Sequence, residues 1–455
     1  MGSELARVIE RGAAERLPLR TKLLWGWAGL GAEALTQSRH AWLVYFYAPP
    51  AGAGHAARLP LLTVTLLLFA GKLFEAGADT LVGYWSDRTR SRLGRRIPFV
   101  LLGGPPMALF AVLLFAPPPA HGAALAAWFF VALELFFVFQ SIVGVPYEAL
   151  LPEIARSSDE RVALSAWRVA FGVLGAGVGL VGSGLLISQF GFRAMALVIA
   201  LLAVAGRYVG VAAVWRRVER GRVPAPPSLR VTLRLTLANR GFLVFMLSFV
   251  LFSSALAMLT GLLPYYVSSL LGERDTGTWA GLLTAVAIGA MALAIPLFAR
   301  LARRTSQRHA YRRAMLLSAC AFPVLFVAGS LPGPAPLLQA LVAMVIVGAP
   351  LAGVFLFPGP IIADLCDADA AATGLRREGM FYSVQSFMDK LTGACAPLLL
   401  GLILLLGDSP GQLLGIRLVG PAAGLLVLAG YLALRAFERA EQAAPALEPQ
   451  ALAGR

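Results

Sequence analysis

Lys72, Glu75 and Asp79 stand three and four residues apart inside an otherwise apolar stretch of a 455-residue chain. At about 100° per residue, a helix carries all three within an arc of roughly 60°. Two carboxylates on one face offer hard oxygen ligands to a small cation, or a place to share a proton. Lys72 can neutralise one of them while no cation is bound. The same charges also make sense as an ion-pair network that only locks helices together. Glu33, Gln37 and His40 repeat the one-face spacing, with Arg39 beside them. They suit a polar wall for a solute, or a structural pair between Arg39 and Glu33 or another carboxylate.

Tyr382, Gln385 and Asp389 form a third such face, followed by Lys390. The chain's lysines are Lys22, Lys72 and Lys390; every other cationic side chain apart from histidine is arginine. A lysine inside an apolar helix supplies a compact charge with a movable pKa. Such a tether to an acid elsewhere serves coupling or structure. Glu134, Ser141 and Glu148 follow one another at heptad spacing, and Glu148 falls toward a helix end, where a gate or loop contact fits. Arg168 could aim its fork at a substrate oxygen. It precedes the run Gly172, Gly175, Gly177, Gly179, Gly182 and Gly184, whose glycines let helices approach closely.

These groups need elements to hold them in a greasy environment. The chain is 58% hydrophobic and 14% charged, too little charge to cover a water-soluble protein of this size. Its net charge of +15 resides in short clusters between apolar runs, the pattern of membrane loops and not of a nucleic-acid-binding face. Cys320, Cys366 and Cys395 have no metal or disulfide spacing. Met1 to Leu17 is charged and lacks the apolar core of a secretory leader.

A spanning helix needs about 20 mostly apolar residues. Twelve runs qualify: 22–48, 59–85, 97–117, 122–151, 162–188, 192–216, 239–270, 278–301, 310–331, 335–364, 378–406 and 413–436. Arginine crowds the loops on one side, as at Arg88 to Arg96, Arg216 to Arg234, Arg303 to Arg313 and Arg376 to Arg377. The other side holds little beyond Arg58, Arg193, Arg274 and Arg417. The positive-inside rule then puts both termini in the cytoplasm, and the expected location is a plasma membrane, the inner membrane in a bacterium. The long basic break near Pro224, Pro226 and Pro227 divides the spans six and six. The expected organisation is a cytoplasmic segment 1–21, a six-helix bundle 22–216, a linker 217–238, a second bundle 239–437 and a disordered tail 438–455. Six-helix halves joined by a cytoplasmic linker are the major-facilitator plan, with substrate held near the midplane between them.

Particular stretches carry a family resemblance. Glu75 to Gly83, continued by Ser86-Asp87-Arg88 and Leu93-Gly94-Arg95-Arg96-Ile97-Pro98, resembles the helix II and loop 2–3 signature of the glycoside–pentoside–hexuronide:cation symporters. That is the branch of the major facilitator superfamily containing melibiose permease. Val145-Pro146-Tyr147-Glu148-Ala149-Leu150 is similar to that family's helix IV end. Ala363-Asp364-Leu365-Cys366-Asp367, Arg376-Arg377-Glu378 and Tyr382 through Lys390 resemble its helix X–XI region. The resemblance implies an all-α, twelve-helix major-facilitator fold and a symporter coupled to Na+, Li+ or H+ that works by alternating access. It places Glu75 and Asp79 at the cation carboxylates (the Na+ ligands of a sodium-coupled member) and Ser141 at a hydroxyl ligand. Glu33 and Arg168 fall at sugar-binding positions, and Lys390 at a functional lysine.

The chain departs from melibiose permease at Gly144, where that protein has a sugar-binding aspartate, and at Glu148, where it has tryptophan. Thr80 replaces a proline, and Asp389 is an added acid. A related branch transports lysolipids, and Phe-rich helices IV and X would suit an amphiphile as well as lipid-facing surface. The expected function is therefore cation-coupled import of a small polar solute, a sugar or glycoside first and a lysolipid as the alternative. The substrate face comprises Glu33, Gln37, Arg168, Tyr382, Gln385 and Lys390. Coupling and gating fall to Lys72, Asp87, Arg88, Arg95, Arg96, Glu148, Asp364, Asp367 and Asp389, with loop 2–3 latching the cytoplasmic side. A proton-coupled drug exporter fits less well, because such proteins carry Gly-Pro in helix V and residues 172–184 contain no proline. No nucleophile–base pair or metal-ligand cluster suggests an enzyme, and no cofactor is expected beyond the coupling ion. Lipid, the solute and a monovalent cation are the partners expected of a functional monomer.

Overall fold

The computed structural model describes residues 17–53, 56–89, 91–155, 158–217, 239–373 and 378–443. Among them, nine helices are long and apolar enough to cross a membrane. One of these, spanning 163–214, would run roughly 78 Å as a straight rod, against about 45 Å for a bilayer with its headgroups. Gly191 breaks it at φ 80° and ψ 173°, a conformation open to glycine, and so two passes result. The shorter apolar helix Ile97–Leu113 and the more charged Leu19–Tyr47 complete twelve passes among the described residues.

In chain order these are α1 (Leu19–Tyr47), α2 (Leu61–Arg88), α3 (Ile97–Leu113), α4 (Gly122–Ile154), α5 (158–190) and α6 (192–214). The second set is α7 (240–270), α8 (Thr276–Arg304), α9 (307–327), α10 (336–373), α11 (Glu378–Leu404) and α12 (Leu414–Ala443). The tenth pass is two segments, Pro336–Leu356 and Pro358–Thr373, interrupted at Phe357. It continues beyond residue 364, where the acidic residues suggest an end, because Cys366 and Asp369 face the protein. α12 likewise passes residue 437 to Ala443, its last turns tied down by an Arg312–Glu438 ion pair. The linker expected at 217–238 lies outside the described residues from 218 onward, as do residues 1–16 and 444–455.

Helix packing reveals a repeat that the sequence hides. In the first half α1 packs on α5 and α6, α4 on α2 and α3, and α3 on α6. Adding six to each label gives the principal pairs of the second half: α7 on α11 and α12, α10 on α8 and α9, and α9 on α12. The contacts between halves obey the same exchange, since α2 meets α11, α5 meets α8, and α1 meets α7. Two six-helix bundles are thus related by a pseudo-twofold axis, as expected for parallel repeats.

The halves close on each other at the end carrying the first loop. Tyr265 donates to the Ala48 carbonyl at 2.6 Å and packs edge-on against Tyr45. Thr278 and Ser188 hydroxyls meet at 3.1 Å, and Ala51 N–H donates to Ser409 Oγ. α5 and α8 come so near that a Cβ on Gly184 would lie 2.3 Å from the Gly277 carbonyl oxygen. Elsewhere in the α5 glycine run, Gly175 and Gly179 receive α1, while Gly172 and Gly177 face open space. Ser183, after the π-turn Val178–Gly182, accepts from Trp42 Nε1 at 2.8 Å and fixes α5 to α1.

Candidate functional site

Helix geometry brings Lys72, Glu75 and Asp79 to one face of α2, and the fold aims that face at α4 and α11. Lys72 Nζ lies 2.5 Å from Glu75 Oε2. Asp79 accepts a hydrogen bond from Ser141 of α4 and forms an ion pair with Lys390 of α11. Lys390 also lies 3.9 Å from Glu75 Oε1. Two carboxylates of the first half are therefore held by two ammonium groups, one from each half. Lys72 is buried, with its Nζ 4.3 Å from the centre of the Phe137 ring, and its Cε sits close to where a Cβ on Gly393 of α11 would be. The glycine leaves room for the lysine stem between α2 and α11. Glu134, one helical turn from Phe137, lies within electrostatic reach of Glu75.

On α1 the structure lacks the pair expected between Arg39 and Glu33. Gln37 donates to Glu33 at 2.7 Å, as the spacing of four allows. Arg39 forms no ion pair with Glu33 and has no carboxylate at ion-pair distance among the described residues. Its buried guanidinium instead lies 5.2 and 5.7 Å from the centres of the Phe137 and Phe136 rings and beside His40. Cation–π attraction to two rings of α4 takes the place of a direct pair with Glu33, and Glu75 of α2 lies within electrostatic reach. Asp389 stands exposed on α11 within electrostatic reach of Glu33. Gln385 is half-buried on the same helix, and the side chain of Tyr382 lies outside the described residues.

Arg168 pairs with Glu148, and Arg207 of α6 approaches the same carboxylate at 3.6 Å. Arg207 rests 4.4 Å from the centre of the Tyr147 ring, which stacks on Trp25 at 4.5 Å. Sequence reasoning passed over Arg207, although it is the one charged residue between Arg193 and Arg216 and so stands alone in a spanning helix.

The loop 2–3 arginines pair with acids, but within their own half. Arg95 places two nitrogens 2.9 and 2.6 Å from Glu153 Oε1. Arg96 reaches Glu153 at 3.0 Å, Asp87 at 2.9 Å and the Ala149 carbonyl. Arg88 stacks over Tyr84. In this conformation these contacts tie the ends of α2 and α4 together. Asp364 and Asp367 are exposed on α10 and are not brought into either cluster; Arg376 and Arg377 lie outside the described residues. Glu153 was missed because it falls beyond the apolar runs. Glu153→Gln should lower stability by about 2–4 kcal/mol, since it strips a buried acid from two arginines while Arg96 keeps Asp87. Thermal unfolding of the purified variant measures this.

Among the described residues no group of three or more His, Cys, Asp or Glu side chains gathers as a metal site. The arrangement can hold and release charge between two bundles. A family model described as MFS/sugar transport protein matches residues 24–412. The chain is 26% identical to a glucuronide carrier protein homolog of Escherichia coli over 82% of each chain. It is 31% identical to an uncharacterized symporter of Synechocystis over 52% of this chain, a match that spans 44% of that protein. A segment covering 29% of the chain is 28% identical to sodium-dependent lysophosphatidylcholine symporter 1 of Xenopus tropicalis, over 26% of its length. The fold matches an inward-facing, unoccupied bacterial homolog of the lysosomal transporter Spinster, with a TM-score of 0.61, 15% identity, and coverage of 93% of this chain and 98% of that one.

Proposed function

This chain belongs to the MFS/sugar transport protein family and is a secondary transporter of the membrane, not an enzyme; we propose that it is a cation-coupled symporter importing a sugar or glycoside. The observation that carries this reading is the bridge between halves from Lys390 to Asp79, with Glu75 and Lys72 beside it. Ammonium groups occupy the two carboxylates when no cation is bound. A Na+, Li+ or H+ arriving at Glu75, Asp79 and Ser141 supplies one positive charge, which together with Lys72 balances the two acids without bridging to α11, so Lys390 is released. Cation binding thereby biases how residues 22–216 and 239–437 sit together, which is the differential interaction that coupling requires.

Solute binds between the halves, among Glu33, Gln37, Arg168, Gln385 and Lys390. With the termini cytoplasmic, as the basic loops suggest, this conformation is closed outside and accessible from within. A lysolipid remains the alternative, favoured by the sodium-dependent lysophosphatidylcholine symporter among the relatives. The test is uptake into proteoliposomes carrying the full chain, driven by an inward Na+ or H+ gradient. A labelled glucuronide should accumulate above its external concentration only with a gradient; lysophosphatidylcholine accumulating instead would select the alternative. Equilibration of solutes without dependence on any cation gradient would refute coupling.

A further inference from the structure

The cluster around Glu148 has an unusual balance. One carboxylate serves two arginines from two helices, and it is not sealed in the core: the Glu148 and Arg168 side chains are 42% and 35% exposed. Gly144 and Gly172, each one helical turn away on α4 and α5, have no heavy atom within 4 Å of where a Cβ would stand. The exposed side of the pair therefore faces open space. Its other side is rigid. Arg207 is fixed against Tyr147, Tyr147 donates to the Trp25 carbonyl at 3.3 Å, and a Cβ on Gly29 of α1 would collide with the Arg168 carbonyl.

Breaking a half-buried ion pair normally costs several kilocalories because a charge is left alone. Here that cost is avoided for the acid. If Glu148 leaves Arg168, it remains beside Arg207 3.6 Å away. Arg168 is then free, and the group that satisfies its planar fork bidentately is an oxyacid. Glu33 lies within electrostatic reach of Arg168 but is already engaged by Gln37.

We propose that Glu148 is a built-in stand-in for an acidic group on the substrate: the transported solute carries a carboxylate, sulfonate or phosphate that replaces Glu148 on Arg168, while Arg207 retains the displaced Glu148. This rests on the reading that solute binds between the halves, and it names the chemical class of that solute. Arg207 acts through Glu148 and is a positioning residue.

The test uses the full chain in lipid nanodiscs at constant Na+ and ionic strength, with thermal unfolding read against ligand concentration. Two acids are compared with neutral counterparts: glucuronate with glucose, and lysophosphatidylglycerol with monoacylglycerol. One acid should bind, and which of the two binds separates a sugar acid from a lipid headgroup. Glu148→Gln removes the competitor and should tighten that acid about tenfold, and Arg168→Gln should weaken it by at least about tenfold. Arg207→Gln leaves Glu148 to Arg168 alone and should weaken the acid, and Glu148→Gln in the same chain should restore it. A merely structural Arg207 would not be rescued in that way. Equal binding of acid and neutral partner overturns the proposal, as does binding of none of the four, weaker acid binding in Glu148→Gln, or failure of the double variant to recover. Should Glu148→Gln not fold, the wild-type preference for acid over neutral ligand and its loss in Arg168→Lys decide the matter. Stabilisation by Na+ or Li+ alone, or by pH, measured in the same discs, reports the cation site separately. If it persists while acid selectivity fails, only this inference falls.

Discussion

Asp79→Asn should leave a folded protein whose gradient-driven accumulation of solute is sharply reduced. The change keeps shape and the hydrogen bond with Ser141 but removes the charge that holds Lys390. A buried pair broken in this way typically costs about 3–5 kcal/mol. Asp79 is 27% exposed, and Lys390 keeps Glu75 at 3.9 Å, so the expected loss of stability is smaller, about 1–2 kcal/mol. The effect on coupling is larger. Gradient-driven accumulation should fall by about 5- to 150-fold, the range of a typical coupling energy between two sites. Exchange of internal for external solute, which needs no net cation movement, should persist. Undiminished accumulation by Asp79→Asn in proteoliposomes would contradict the role assigned to this acid.

A second large effect is expected where the halves touch most closely. The Cβ of Gly277→Val would lie 2.4 Å from the Gly184 carbonyl oxygen and 3.2 Å from the Ser188 nitrogen. Both are backbone atoms and cannot turn aside, so α5 and α8 must part. The variant should insert and fold, because contacts within each half are unaffected, but it should fail to close at the first-loop end. Transport should drop to background. Thr276→Cys, placed where the Tyr45 hydroxyl meets Thr276 at 3.3 Å, should then react with a membrane-impermeant maleimide far faster than in the parent. Gly289→Val on the same helix meets nothing within 4 Å and serves as the control, with labelling unchanged. Normal transport by Gly277→Val would mean that this approach is not a required closed state.

Much of this was readable from residue order. The arc of Lys72, Glu75 and Asp79 follows from helical spacing alone, and the apolar runs locate the passes because lipid leaves a helix few other options. The pairing of Lys390 with Asp79 was not readable, because residues 311 positions apart meet only through the pseudo-twofold packing of α2 on α11. Arg39 shows a different limit. Charge counting seeks a direct acid partner, whereas the structure sets the guanidinium beside two aromatic rings whose placement depends on how α4 rotates. Arg207 was legible and overlooked: a lone arginine in a spanning helix is itself a signal. For loop 2–3 the acid pairing of its arginines is readable from the sequence, but not that Glu153 and Asp87 are the acids they meet.

The most direct test of the central claim is thermal stability of the purified protein at several pH values in Na+, Li+ and K+, with Glu75→Gln and Asp79→Asn alongside. Ligands that bind the native state raise its apparent stability by mass action. The account predicts a saturable rise with Na+ or Li+, or a dependence on pH alone if the coupling ion is H+, that disappears in both variants. A cation or pH response retained in full by Glu75→Gln and Asp79→Asn, or no response in the wild type under any of these conditions, would contradict it.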